Sequence, residues 1–213
     1  MTDADPSRAH TGRRFRRAAR SPLAGAALVI ICLVAYLPGL FTMPPVDRDE
    51  SRFAQATRQM VEGVREADSP AEVIEALAVP MIQDRPRLNK PPLVYWVQAI
   101  PAGVLGLDRA ERDIGRAWFG AALPTGNIGA FRVASVFCSI LAVVFTWRLG
   151  LRLFEPRTAF VAAALLGTCI MVLWDARQAR ADQLLLACTA ASMWALAATW
   201  RRPRPTSRSL ALA

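Results

Sequence analysis

Four apolar blocks without a single charged side chain run through residues 23–41, 133–147, 158–174 and 183–200. At about 1.5 Å of rise per helical residue, each approaches the length that crosses a hydrocarbon core of roughly 30 Å. A chain carrying four such blocks cannot hide them all in an ordinary soluble core, so the expected class is an all-α polytopic membrane protein. The 213 residues carry 26 basic and 17 acidic side chains, a net charge of +9, and every basic residue but Lys90 is arginine. So basic a balance suits nucleic-acid binding in a soluble domain, but the apolar blocks exclude that class and no nucleic-acid partner is expected.

The first block, Leu23–Phe41, ends in Pro38 and Gly39. An arginine-rich stretch precedes it, as in a signal peptide, but it exceeds a usual signal core and Leu40-Phe41-Thr42-Met43 offers no small-residue cleavage site; the expectation is an uncleaved anchor. Arg132 and Arg148 bound the second block. Long arginine stems reach the interface from near helix ends, which permits a span of 132–154. The third and fourth spans, 158–174 and 183–200, are joined by the polar hairpin Asp175–Asp182.

Arginine collects in the N-terminal tail (1–22), in the C-terminal tail (201–213) and between the second and third spans at Arg148, Arg152 and Arg157. Four crossings put all three clusters on one side, which the positive-inside bias makes cytoplasmic. The localisation this predicts is the inner (plasma) membrane, with both termini cytoplasmic, a membrane module over 23–200 and an outward loop over 42–131. A fifth apolar stretch, Leu93–Leu107, is short and contains Pro101 and Gln98; it is expected to lie along the outer interface with Tyr95 and Trp96 at headgroup depth. The four cysteines fall inside apolar spans with no metal spacing, and His10 lies in the tail, so neither a metal site nor a Ser-His-Asp arrangement is predicted.

Chemistry concentrates in three stretches expected on the outer face. The first is Asp47-Arg48-Asp49-Glu50-Ser51-Arg52-Phe53-Ala54, opening an amphipathic helix marked by Phe53, Thr57, Met60 and Val64. Helix capping accounts for Asp47 and for Glu50 three residues on; Asp49 is left equally open to a structural or a functional role. The second is Arg87-Leu88-Asn89-Lys90-Pro91-Pro92, where the following proline stiffens the chain at Lys90. Its ammonium either suits a lipid phosphate or is simply solvated at the interface. In the third, Asp175–Gln183, Asp182 either caps the fourth span or joins a site with Arg177 and Arg180. Carboxylates and cations converging on one face are the equipment for moving a group off a lipid-linked phosphate.

Asp49-Glu50-Ser51-Arg52-Phe53-Ala54, then Lys90-Pro91-Pro92-Leu93-Val94-Tyr95-Trp96-Val97-Gln98-Ala99, Arg132 opening a span, and Ala179-Arg180-Ala181-Asp182 together resemble the N-terminal part of GT-C membrane glycosyltransferases, most like the protein O-mannosyltransferase and aminoarabinose (lipid A) transferase group. The resemblance implies sugar transfer from a polyprenyl-phosphate carrier to an unknown acceptor at the outer face of the membrane, with membrane lipids as further partners. It places Asp49 and Asp182 as catalytic carboxylates and Lys90 on the departing phosphate, with help from Arg177 or Arg180. Glu50, Arg52 and Tyr95 complete the implied substrate-binding set. Aminoarabinose transferases carry a glutamate before the lysine, tied to a metal; here it is Asn89, so no metal or other cofactor is expected. Ser69-Pro70-Ala71-Glu72 reads as the start of an extra short helix, and 108–130 as an insertion. Because such enzymes have more spans, the alternatives are a truncated product or an N-terminal half working with a C-terminal partner chain. The rival to catalysis is a membrane protein that binds polyprenyl phosphate or a partner transferase without turnover; a transporter fragment fits less well, since no charge lies deep within a span.

Overall fold

Pro38 and Gly39 decide where the first apolar block stops being a helix. In the structure, a computed structural model that describes residues 21–104 and 128–200, helix α1 runs only over Pro22–Tyr36. A residue before proline is pushed out of the α region, and Gly39 adopts φ 78°, the left-handed conformation that costs a glycine nothing. Its carbonyl then accepts from the amides of Thr42 and Met43 at 3.2 and 3.0 Å, closing a turn where the sequence predicted more helix. Fifteen residues span about 22 Å, so the expected 23–41 span is a shorter helix followed by a compact turn.

Among the described residues, two helices are long and apolar enough to cross a membrane: α5, Gly129–Leu153, and α8, Asp182–Trp200. The third apolar block divides into α6, Pro156–Thr168, and α7, Ile170–Asp175. Cys169 at the junction is extended at φ −59°, ψ 131°. Beside it the Thr168 hydroxyl donates back to the Ala164 carbonyl at 2.8 Å, a bond that competes with regular helix. Hydropathy is blind to such a break.

The remaining elements are α2, Arg48–Glu66; α3, Pro70–Ala78; β1, Met81–Ile82; β2, Arg85–Pro86; and α4, Leu93–Val104. The chain is thus mostly helical, with one addition the sequence did not announce: β1 and β2 pair antiparallel, Met81 opposite Pro86 and Ile82 opposite Arg85. Helix α3 starts where expected. Ser69 caps it by accepting from the Glu72 amide, and the Glu72 carboxylate takes the Ser69 hydroxyl at 2.8 Å and the Asp68 amide at 3.0 Å. Those bonds hold the Glu72 carboxyl below its ordinary pKa. Helix α4 has 12 residues, about 18 Å; the rest of the apolar stretch to Leu107 lies outside the described residues, as do nearly all of 108–130 and both arginine-rich tails.

The chain forms two compact units. The first comprises Met1–Ala35, Ser139–Leu173 and Leu185–Ala213. Within it α5 and α6 approach so closely at Gly150 that a Cβ there would stand 2.8 Å from the Ala159 Cβ, and the Phe145 ring packs tilted against Trp194, centroids 5.6 Å apart. The second unit comprises Tyr36–Cys138 and Trp174–Leu184. Its core gathers Phe53, Ala56 and Met60 of α2 with Val94 and Tyr95 of α4, flanked by Leu77, Ile82 and Leu184. The Thr57 hydroxyl, 2.8 Å from the side-chain amide of Gln98, joins α2 to α4 by a buried polar contact. All the residues singled out as chemically interesting belong to this second unit.

Candidate functional site

A carboxylate on the buried stripe of an amphipathic helix needs a cation, because an unpaired charge inside a protein is strongly disfavoured. Glu50 lies three residues before Phe53 and seven before Thr57, on that stripe of α2, and it is fully buried. Its partner is Arg132, also fully buried, from the first turn of α5. Arg132 Nε donates to Glu50 Oε1 at 2.6 Å and Nη2 to Oε2 at 3.2 Å. Nη1 donates to the carbonyls of Leu40 and Met43 at 2.9 and 2.8 Å, and Nη2 to that of Pro44 at 3.1 Å. The five guanidinium protons are thereby all used. Glu50 accepts in addition from the amides of Ala179 at 3.1 Å and Val46 at 3.3 Å, so its carboxylate is saturated as well.

This closed network stitches together the turn after α1, the start of α2, the start of α5 and the segment before α8. It differs from expectation at both ends. Arg132 was expected to extend toward an interface and instead turns inward. The capping bond expected of Glu50 goes to Val46, one residue ahead of the N-cap, while Asp47 caps α2 as foreseen by accepting from the Asp49 amide at 3.2 Å. The pair was missed as a pair, although the position of Glu50 on the apolar stripe carried the signal.

Asp49 stands next to this network in the first turn of α2, its side chain half exposed, with Oδ1 3.4 Å from Arg52 Nη1. Arg180 is ringed by three carboxylates: Asp182 at 3.4 Å, Asp175 at 3.6 Å and Asp47 at 3.7 Å. The bond that the Ala179 amide donates to the Glu50 carboxylate fixes the residue just before it. Arg177, partly buried, sits in the turn after α7, its amide donating to the Trp174 carbonyl at 3.2 Å.

Burial raises the pKa of Asp175; Arg180 opposes this and Asp182 adds to it. The folded chain therefore binds this proton more tightly than the unfolded chain. The stability contribution of Asp175 is greatest below the ordinary aspartate value of about 3.9 and falls as pH rises through the raised folded value. Thermal midpoints followed upward from about pH 4 should decline less in Asp175→Asn than in the wild-type chain, and identical slopes would show that Asp175 has no such part.

Lys90 is exposed in the stiff segment before α4, where it lines a recess of about 340 Å³ with Pro80, Arg87, Asn89, Pro91 and Pro92. Among the described residues it has no carboxylate partner, and no ion pair or hydrogen bond joins it to Asp49 or Asp182. A second groove, about 630 Å³, has Arg52, Arg85, Arg87 and Asn89 among its walls, so Arg87 and Asn89 border both spaces. Tyr95 is fully buried, its ring 5.8 Å from that of Phe53, and the Arg87 guanidinium lies 4.7 Å over the other ring's centroid. Burial raises the Tyr95 pKa and the nearby Arg87 charge partly offsets it. No group of His, Cys, Asp or Glu among the described residues is arranged to hold a metal ion.

The chain matches the family model of dolichyl-phosphate-mannose-protein mannosyltransferases over residues 116–213. No curated protein and no solved structure matches it. The matched segment contains Arg132, Arg177, Arg180 and Asp182, whereas Asp49, Arg52, Lys90 and Tyr95 precede it. The similarity to mannosyltransferases therefore comes from a part of the chain, somewhat under half of it, that does not hold the first-loop carboxylate or the lysine.

Proposed function

We propose that this membrane glycosyltransferase-like chain transfers a sugar from a polyprenyl-phosphate donor to an acceptor hydroxyl or phosphate at the outer face of the membrane. The observation that most supports this is the shared wall between two spaces: Lys90 lines one, Arg52 lines the other together with Arg87 and Asn89, and Arg52 is ion-paired to Asp49. A carboxylate that can take a proton and a cation that can hold a phosphate are thus carried by one compact unit.

In this reading the acceptor oxygen attacks the anomeric carbon while the bond from that carbon to the carrier phosphate breaks. With a hydroxyl acceptor, Asp49 takes the proton as the new glycosidic bond forms. The carrier leaves as a phosphate with one more negative charge, and Lys90 stabilises it where water is partly excluded. Asp182, half exposed beside Arg180, is the second acidic group of the site. Tyr95 acts from beneath, through Arg87. Four crossings, at α1, at α5, at the segment 158–174 and at α8, place both tails in the cytoplasm and 42–131 outside, with α2 and α4 at the interface.

Membranes containing the chain, supplied with radiolabelled polyprenyl-phosphate mannose, should transfer label to endogenous acceptors. Lys90→Ala should lower that transfer about tenfold or more while the exposed position leaves folding intact. Wild-type chain that retains donor without transferring label, in membranes whose acceptors are labelled by another transferase, would overturn the assignment.

A further inference from the structure

Arg148 and Arg152 stand four residues apart on the last two turns of α5, so they share one face of the helix with roughly 5–6 Å between their Cβ atoms. Like charges so placed repel each other. Among the described residues neither has a carboxylate partner, and the turn that follows adds a third arginine, Arg157, against a single acidic residue, Glu155. An anion laid across this face would relieve the repulsion.

Ordinary solvated arginines swing free of their helix, whereas both of these are seated on indole rings. The Arg152 guanidinium lies 5.5 Å over the centroid of Trp194 from α8, the ring already packed by Phe145. The Arg148 guanidinium lies 5.9 Å from the centroid of Trp147. That second ring is buried, with α1 so close that a Cβ on Gly25 would stand 2.9 Å from it. A guanidinium laid on a ring keeps its N–H donors, which lie in its own plane, open to a further acceptor. Cations held in this way lose less side-chain freedom when an anion arrives. Around them the surface turns apolar: Leu153, Phe154, Met193, Leu196 and Trp200 are all exposed, Trp200 to 86%. Aromatic rings at the ends of apolar helices mark the depth of lipid headgroups.

We propose that the end of α5, together with Trp194 of α8, is a binding site for the headgroup of an anionic glycerophospholipid. Arg148 and Arg152 hold the phosphate diester through paired N–H donors, and the exposed apolar side chains beside them receive the acyl chains. An acidic protein segment would match the charge but leaves the apolar surface uncovered, whereas a phospholipid supplies both from one molecule. The site does not depend on the transferase reading. It depends on α5 and α8 crossing the membrane, and in the four-crossing topology this end belongs to the cytoplasmic leaflet.

The test reconstitutes the full chain in dioleoyl phosphatidylcholine vesicles and titrates it with brominated phosphatidylglycerol or brominated phosphatidylcholine, reading the quenching of tryptophan fluorescence. The wild-type chain should prefer phosphatidylglycerol by about tenfold, and the preference should shrink as salt is added. Arg148→Gln with Arg152→Gln should bring the two lipids to within about twofold of each other. Arg148→Glu, at an exposed position, should give at least as large a loss while leaving the Trp194 contacts in place. Arg48→Gln with Arg85→Gln removes the same charge from two other exposed arginines and should leave the preference unchanged. An equal loss in that control would mean that net charge alone attracts the lipid, and it overturns the site. So does a wild-type chain that is quenched equally by both lipids, which would leave an acidic protein segment to cover the patch, or a preference that survives in the Arg148 and Arg152 variants. Unlabelled undecaprenyl phosphate should displace the brominated phosphatidylglycerol less well than unlabelled phosphatidylglycerol does; better displacement would give the site to a polyprenyl phosphate and overturn the glycerophospholipid assignment.

Discussion

Arg132→Leu is expected to cost about 3–5 kcal/mol, because it leaves the Glu50 charge buried without its cation. The same substitution strips donors from the carbonyls of Leu40, Met43 and Pro44, so the turn after α1 should loosen along with the start of α2. Arg132→Lys should rescue little of this, since three ammonium protons cannot serve five acceptor contacts spread across a fork. Removing both charges, as in Glu50→Gln with Arg132→Leu, should cost less than the two single changes added together, because the second change removes the group the first one stranded. Thermal unfolding of the purified chain, with proteolysis inside 42–66 as a local readout, measures all four variants. Small and additive losses would mean that the network contributes little to holding the loop, α2 and the segment before α8 in place.

Asp49→Asn should lower sugar transfer by about 10²- to 10⁴-fold if Asp49 takes the acceptor proton, the range in which a positioned base contributes. The amide keeps the size of the carboxylate and its contact with Arg52 but no longer accepts a proton at any working pH. Stability should hardly move: the Asp49–Arg52 pair is half exposed, and exposed pairs are worth about 0–1 kcal/mol. Undecaprenyl phosphate should bind within about twofold of wild type, since donor binding is assigned to Lys90. Transfer that survives Asp49→Asn with undiminished rate excludes Asp49 as the base and passes the role to Asp182 or to an acceptor that needs no deprotonation. The contrast with Arg132 separates the two kinds of residue: one change should remove turnover from a folded chain, the other should remove the fold around the site.

Local signals served well wherever one residue and its near neighbours decide the outcome. Asp47 before Glu50 announced the start of α2, and Ser69-Pro70-Ala71-Glu72 announced α3, because caps close within a few residues. The long apolar runs of α5 and α8 were equally plain. Pro38-Gly39 was visible too, yet counting apolar residues carried the first helix past it, when the proline and the left-handed glycine end the helix at Tyr36. The break at Cys169 has no proline beside it, only Gly167 and Thr168 just before; the Thr168 hydroxyl bonds back to the Ala164 carbonyl there, and hydropathy is insensitive to that.

What the sequence determined by itself was therefore the helical, membrane-type character of the chain, the starts of α2 and α3, and the residue types available for chemistry: isolated carboxylates and a lone lysine among arginines. Only the tertiary structure decided which charges belong to the scaffold. Glu50 and Arg132 are 82 positions apart and satisfy each other completely, while Asp49, one residue from Glu50, is left half exposed. It also decided that Arg85 and Arg87 stand on a pinned hairpin, through a bond between Gln59 and Gln83 that no local pattern encodes. The physical reason is range: capping and hydropathy act over a turn of helix, whereas the desolvation of a charge is relieved by whatever partner the fold brings to it, however far away in the chain.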